Sequence, residues 1–311
     1  MRVLITGADG FVGPHAVNAL CDLFPSNLEL IPTARTADGG TEALDITDRS
    51  AVDGAIARCR PTHVVHLAGI TALPAAASDP DATWRVNLDG TLNLARAILA
   101  VAPDCHLINA GSGLIYGESA KSGLPLDETS LLAPMDDYSA SKAAADLALG
   151  ALAHRGLKCI RMRPFNHFGP GQSEHFVATA FAIQIAKIEA GCADPLIHVG
   201  NLTSARDFLD VRDVAAAYAL AVAKSDTIAP GTILNLASGK VHRINDLLIA
   251  LLSRSSVSIR VEEDSSRMRP SDLPCVIGNA QRARDFLGWS PKHSFDETVS
   301  ELMEECRARL V

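Results

Sequence analysis

The sequence predicts an α/β protein built on a parallel, doubly wound sheet, with a smaller mixed part toward its carboxyl end. Three observations predict it. Short apolar runs alternate with helix-like stretches through the first two thirds of the chain, the rhythm of a parallel sheet with crossover helices. The first apolar run, Arg2–Thr6, leads directly into three glycines spaced three apart, Gly7, Gly10 and Gly13. At 311 residues the chain is long enough for a large core and for two packed parts.

Taken in order, residues 2–6 form a strand and residues 10–23 the helix after it. Residues 28–34 read as a second strand. Pro32 is expected to end or kink it, because proline has no N–H to give to a ladder. A short third strand follows near 42–44, a helix at 51–58, and buried-type strands at 63–67 and 106–110. Residues 81–101 and 138–154 are expected to be long helices, with another strand at 159–163. Beyond about residue 165 proline and glycine break the rhythm. Helices are expected at 176–190 and 210–223, a strand at 233–236, and mixed helix and short strands from 244 onward. This organisation assigns residues 1–165 to a dinucleotide-binding Rossmann unit, to which a strand near 205–240 returns. Residues 166–311 belong mainly to a substrate unit.

Composition narrows the function. No stretch approaches the ~20 apolar residues that a membrane helix needs, and no charged-then-apolar leader precedes the first strand, so no membrane is expected. The seven cysteines are scattered without a C-x-x-C pair, which argues for reduced thiols in the cytoplasm and against a metal site. The formal net charge of −8 argues against a nucleic-acid partner. An anionic ligand would have to be held by individual arginines.

The glycine spacing carries the first chemical statement. A strand-to-helix turn of the form Gly7-x-x-Gly10-Phe11-Val12-Gly13 lets the backbone approach a pyrophosphate, and the next helix presents free N–H groups to it. A carboxylate near the end of the second strand would hold a ribose 2′-hydroxyl. That region instead has Thr33 and then Arg35, which favours the 2′-phosphate of NADP, while Asp38 keeps NAD as an alternative.

The second statement is Tyr138-x-x-x-Lys142. Positions i and i+4 share a helix face, and an ammonium beside a phenol is expected to lower its pKa from ~10. Tyr138 then exchanges a proton with a carbonyl/alcohol pair. Ser112 follows the 106–110 strand at the carboxyl edge of the sheet, where its hydroxyl can steady the same oxygen.

These residues resemble a known family. The Gly7 to Gly13 turn, Leu67-Ala68-Gly69, Asn87, Ser112 before Tyr116-Gly117, and Tyr138 with Lys142 are similar to the extended short-chain dehydrogenase/reductases, which include the nucleotide-sugar epimerases and dehydratases. The runs 163–172, 204–213 and 269–272 resemble the GDP-sugar branch of GDP-mannose 4,6-dehydratases and GDP-4-keto-6-deoxy-D-mannose reductases. The resemblance implies a catalytic triad of Ser112, Tyr138 and Lys142. It implies Asp45 and Ile46 beside the adenine, Leu67, Ala68 and Gly69 along the cofactor, and Asn87 as a brace near it. It also implies that Asn166, Arg206 and Arg269 hold a nucleotide diphosphate, a task suited to forked guanidinium groups.

One position departs from the dehydratases. Where they carry a glutamate two residues before the Tyr-Gly pair, this chain has Leu114, which favours simple ketone reduction. The leading expectation is NAD(P)H-dependent reduction of the C4 ketone of a GDP-4-keto-6-deoxyhexose, giving a GDP-rhamnose or GDP-6-deoxytalose type product. The alternatives are an epimerase or 4,6-dehydratase with tightly bound NAD, and a non-catalytic nucleotide sensor. The alanine-rich helices near 87–101 and 138–154 are expected to pair in a homodimer.

Overall fold

The computed structural model describes residues 1–267 and 273–310. The first half runs β1 (Arg2–Thr6), α1 (Gly13–Leu23), β2 (Glu29–Ala34), β3 (Glu42–Ala43), α2 (Arg49–Cys59), β4 (His63–His66), α3 (Leu73–Ser78), α4 (Pro80–Trp84), α5 (Thr91–Val101), β5 (His106–Ala110), α6 (Asp137–Ala153) and β6 (Cys159–Pro164). The second half runs β7 (Asn166–Phe168), α7 (Val177–Glu189), β8 (Leu196–Val199), β9 (Ala205–Asp210), α8 (Val211–Lys224), β10 (Thr232–Leu236), β11 (Val241–Arg243), α9 (Ile244–Leu252), β12 (Arg260–Glu263), β13 (Cys275–Val276), α10 (Gln281–Leu287) and α11 (Phe295–Ala308).

Seven strands form one sheet in the order β10-β6-β5-β4-β1-β2-β3, every neighbour parallel. Strand order reverses between β1 and β4, so a crevice opens there at the carboxyl edge. Alternation along β1 explains its burial on both faces. Val3 and Ile5 join one apolar cluster with Leu20 of α1 and Val214 of α8. Leu4 joins another with Ile56 of α2, Ile98 of α5 and Leu149 of α6. Full burial of each such side chain contributes roughly 1.5–3 kcal/mol. A third cluster, with Phe181 of α7, Leu247 of α9 and Leu302 of α11, closes around Phe168 and Phe208. Strand β9 is central to this second part, flanked by β7, β11 and β13.

Three local expectations are corrected. Pro32 neither ends nor kinks β2: it pairs with Ile5 and the strand continues to Ala34. The carbonyl of Thr33 bonds Ala8 on the β1 side and that of Ala34 bonds Leu44 on the other, so alternation turns Pro32 away from β1. On that outer side β3 begins pairing only at Thr33, and no ladder donor is missed. The helix after β1 starts at Gly13, not at residue 10, since the glycines form the turn. The 81–101 segment is not one α-helix: a π-helical turn spans Arg85–Gly90 between α4 and α5. Such turns often mark functional positions, and here the turn contains Asn87.

Candidate active site

The turn after β1 is possible only with glycine at its ends. Gly7 has φ +69°, and a Cβ there would lie 2.7 Å from the Ala68 backbone nitrogen. A Cβ on Gly13 would lie 2.2 Å from the Ala8 carbonyl. Gly10 N–H donates to the Gly7 carbonyl and Gly13 N–H to the Gly10 carbonyl, 3.1 Å each, which tightens the turn. The chain after β4 therefore packs directly on the turn, and α1 begins with its N–H groups at the crevice. These residues fit a dinucleotide pyrophosphate: the backbone is bare where the phosphates must approach, and a helix N-terminus faces them.

Helix α6 carries the phenol and the ammonium that the sequence singles out. Asp136 caps it, accepting from Ser139 N–H at 2.7 Å, and so sets Tyr138 and Lys142 on one face of the first turns. Both side chains are buried and line one cavity of about 650 Å³, which begins at the glycine turn and also takes in Ser112. Ser112 ends the extended stretch after β5, and its oxygen accepts from Leu114 N–H at 3.1 Å. Lys142 Nζ donates to the Ala110 carbonyl at 3.0 Å, tying α6 to the end of β5.

Electrostatics correct the expected tuning. Burial pushes the Tyr138 phenol above its ordinary value; a hydrogen bond from Ser112 opposes this, and nearby Asp136 adds to it. Lys142 does not lower the phenol as its position suggests. Burial pulls its own ammonium down to about 8, and its hydrogen bond goes to a carbonyl. Desolvation is the leading cause for both groups. A phenol held protonated is the state a proton donor needs.

A buried network fixes the helix from behind. Asp146, one turn beyond Lys142, accepts from Arg163 Nη2 at 2.7 Å and Arg161 Nη1 at 3.0 Å, both from β6. Arg163 Nη1 donates to the Tyr116 hydroxyl at 2.8 Å, which donates to Asn235 Oδ1 at 2.7 Å. From the other side, Asn87 grips the loop after β4: its Oδ1 accepts from Ile70 N–H at 2.9 Å, and its Nδ2 donates to the Ile70 carbonyl and to Ser141 Oγ.

The structure gathers most of the sequence-predicted residues and leaves some at the margin. Gly7, Gly10, Phe11, Val12, Gly13, Leu67, Gly69, Ser112, Tyr138, Lys142, Asn166 and Arg206 line the cavity. Asn166 enters from β7 and Arg206 from β9, where Arg206 Nη1 donates to the carbonyls of Ala205 and Leu273. Ala68 presents backbone to Gly7, and Asn87 braces rather than lines. Ile46 is buried against Gly90, where a Cβ would lie 2.6 Å from its Cδ1. Arg35 sits exposed at the carboxyl end of β2. It is near Asp45, whose carboxyl is held below its usual range first by hydrogen bonds from Thr47, with Arg35 and Arg85 helping. Arg269 lies outside the described residues.

Sequence reasoning missed several wall residues. His167, His175 and Gln172 follow Asn166 closely, whereas His198, Tyr218 and Arg267 reach the cavity from distant segments. The first group lay inside or beside a recognised run; the second converges only through tertiary folding. Among the described residues no group of acidic, histidine and cysteine side chains is arranged to hold a metal ion.

Comparison with known proteins agrees with this geometry. The NAD dependent epimerase/dehydratase family matches over residues 3–237. The GDP-6-deoxy-D-mannose reductase of Pseudomonas aeruginosa is 32% identical, covering 99% of this chain and 98% of its own. The structure of RMD from the same organism, complexed with NADPH, superposes with a TM-score of 0.87 at 30% identity over 99% of both chains. The UDP-glucose 4-epimerase of Thermus thermophilus, in complex with NAD, superposes at 0.85 with 30% identity over 99% of both. The chain belongs to the NAD dependent epimerase/dehydratase family.

Proposed function

We propose that this protein is an NADPH-dependent oxidoreductase that reduces the C4 ketone of a GDP-4-keto-6-deoxyhexose. The observation that carries the reading is the burial of Ser112, Tyr138 and Lys142 in one cavity with the glycine turn. The similarity to a GDP-6-deoxy-D-mannose reductase and to an NADPH-complexed structure supports the substrate class and the cofactor. Arg35, exposed at the end of β2, supports the 2′-phosphate of NADP; NAD is the alternative cofactor.

The bound cofactor would supply a hydride to the ketone carbon. Tyr138 donates its phenolic proton to the ketone oxygen as that carbon is reduced. Ser112 donates a hydrogen bond to the same oxygen and holds it toward Tyr138. Lys142 holds the floor of the site through Ala110 and offers its remaining N–H groups to the cofactor ribose. Leu114 lines the cavity and has no group to take a proton from the sugar, so elimination of water has no base at that position. Gly7 and Gly13 admit the pyrophosphate of the cofactor. Asn166 and Arg206, with Arg269, bind the diphosphate of the sugar nucleotide.

Purified protein is expected to oxidise NADPH only when a GDP-4-keto-6-deoxyhexose is present, with Tyr138→Phe inactive. Wild-type protein no more active than that variant would refute the reading. The second reading is an epimerase that recycles NAD, favoured by the similarity to the NAD-bound Thermus epimerase. It requires stoichiometric NAD in the purified protein and turnover without added reductant. A sensor without catalysis would leave every cellular role unchanged in Lys142→Ala.

Three further points belong to this proposal. Labour divides near residue 165, the earlier residues serving the dinucleotide and the later ones mainly the sugar nucleotide. The protein works in the cytoplasm, supported by seven unpaired cysteines and by the lack, among the described residues, of any helix long and apolar enough to cross a membrane. It pairs as a homodimer through α5 and α6, where Leu147 is 61% exposed on α6. Light scattering that finds a monomer at micromolar concentration would remove the dimer.

A further inference from the structure

Next to the glycine turn lies a buried imidazole that the proposed reaction does not use. His66 ends β4 beside Thr6, the last residue of β1, and is 2% exposed. It does not line the cavity. Its Nδ1 lies 2.7 Å from Thr6 Oγ1, and its Nε2 lies 3.0 Å from Oγ1 of Thr91, the first residue of α5. Thr6 directly precedes Gly7. Thr91 reaches back to the π-helical turn, where its hydroxyl donates to the Asn87 carbonyl at 2.7 Å.

That last contact fixes the tautomer. The single hydroxyl proton of Thr91 goes to a carbonyl, which only accepts. The contact between Thr91 and His66 is therefore a donation from Nε2–H. Burial, with Lys142 adding to it, pulls the pKa of the ring down to about 3, so the ring is neutral and Nδ1 keeps its lone pair. Thr6 Oγ1 then donates to Nδ1, and its own lone pairs face the Ala68 N–H, 3.4 Å away. The donations run one way, from Thr6 through His66 and Thr91 to the Asn87 carbonyl. The Asn87 side chain carries them on: Nδ2 donates to Ser141 Oγ at 3.1 Å, and Ser141 Oγ to the Tyr138 carbonyl at 2.8 Å. Asn87 also stands near the ammonium, since a Cβ on Gly69 would lie 3.0 Å from Asn87 Oδ1 and 3.2 Å from Lys142 Nζ. All five side chains of this relay are buried, and head-to-tail donors in a dry interior strengthen one another.

We propose that His66 is a positioning residue for hydride transfer: as the neutral Nε2–H tautomer it holds the turn that seats the dinucleotide in register with the helix turn that carries Tyr138, and it touches neither ligand. Its two links serve different ends. The link to Thr6 fixes the strand end from which the glycine turn starts. The link to Thr91 fixes Asn87, and through Ser141 the start of α6. The inference rests on the reductase reading for the step that is positioned.

Two measurements test it. In 15N-labelled protein without ligand, long-range imidazole spectra near neutral pH are expected to show the His66 ring neutral and protonated at Nε2, with Thr91→Val shifting and so identifying the signal. An Nδ1–H tautomer or an imidazolium overturns the proposal. Calorimetry and single-turnover kinetics then separate the two links. Thr6→Val cuts the first and is expected to weaken NADPH about fivefold, the scale of one neutral hydrogen bond. Thr91→Val cuts the second: NADPH affinity stays at wild type, while the single-turnover rate of NADPH oxidation by a GDP-4-keto-6-deoxyhexose falls about fivefold at full amplitude. His66→Asn, whose side-chain oxygen stands in for Nδ1 but is too short to reach Thr91, should match Thr91→Val, and the double variant should be no slower than either. Should His66→Asn fail to fold, the two threonine variants decide alone. Lost amplitude at the wild-type rate is the mark of a merely structural role and overturns the proposal. Wild-type behaviour in both threonine variants, or equal loss of affinity and rate in both, overturns it too. Wild-type protein that binds NADPH but does not pass its hydride to this ketone overturns the reductase reading instead; the tautomer and the NADPH affinity of Thr6→Val then still decide whether His66 holds the turn.

Discussion

The wall of the cavity that carries Ser112, Tyr138 and Lys142 is fastened to the sheet, whereas the opposite wall hangs on short strands and loops. On the first wall, each chemical group is tied within a few residues to a parallel strand: Lys142 to the end of β5, Asp146 to two arginines of β6, Asn87 to the loop after β4. On the second, Asn166 comes from a three-residue strand, Arg206 leans on two backbone carbonyls, and His198 lies in, and Arg267 just after, a two-stranded ribbon. The contrast separates two demands. Proton transfer needs one geometry, which a rigid sheet edge supplies. Choice of sugar nucleotide needs a surface that can change by loop and side chain while the sheet stays the same.

The largest expected effect lies on the first wall. Tyr138→Phe removes the proposed proton donor and should lower kcat by about 10³-fold, with NADPH affinity and thermal stability near wild type. Loss of cofactor binding instead would make the tyrosine a structural residue. Asp146→Ala leaves Arg163 buried without its carboxylate and should destabilise the fold by roughly 3–5 kcal/mol in urea denaturation. A wild-type midpoint would show that α6 does not depend on this clamp.

Effects on the second wall and at the cofactor margin should be smaller and selective. Arg206→Ala should raise the KM for the sugar nucleotide by about tenfold, on the scale of one charge-assisted hydrogen bond, with the KM for NADPH unchanged. Arg35→Ser should do the converse, weakening NADPH about tenfold and leaving NADH alone. Equal changes toward both ligands in either variant would erase the distinction between the walls.

An effect of another kind is a pH dependence of stability. Lys142 has a folded pKa lowered by burial to about 8 from an ordinary 10.5. Between these values the unfolded chain binds the proton and the folded one does not, so stability rises with pH from about 8 toward 10.5. Below about 8 both states hold the proton and the dependence levels off. The difference between wild type and Lys142→Met in thermal denaturation should show this rise; a difference independent of pH would place the ammonium in a more polar setting.

Legibility in the sequence followed the same division. The glycine turn, the first strand and the i, i+4 pair were readable because each is local: steric demand at Gly7 and Gly13, the continuous apolar run of β1 buried on both faces, and the helical face of Tyr138 and Lys142. The continuation of β2 through Pro32 was not, because it depends on where β3 starts to pair. The π-helical turn was hidden as well, and Asn87 on it bonds Ile70, seventeen residues away in the chain. The direction of the Tyr138 shift was misread because spacing shows neighbours and not desolvation. His198, Tyr218 and Arg267 carried no local mark of the cavity they share.

The central claim is net transfer of a hydride from a nicotinamide to C4 of the sugar, with Tyr138 supplying the proton. Incubation of the protein with NADPH deuterated at the transferable position of C4 and a GDP-4-keto-6-deoxyhexose tests it most directly. The expected result is one deuterium at sugar C4 and one NADP⁺ for each product formed, with neither appearing in Tyr138→Phe. Product formed without consumption of NADPH, or without deuterium at C4, would contradict the account.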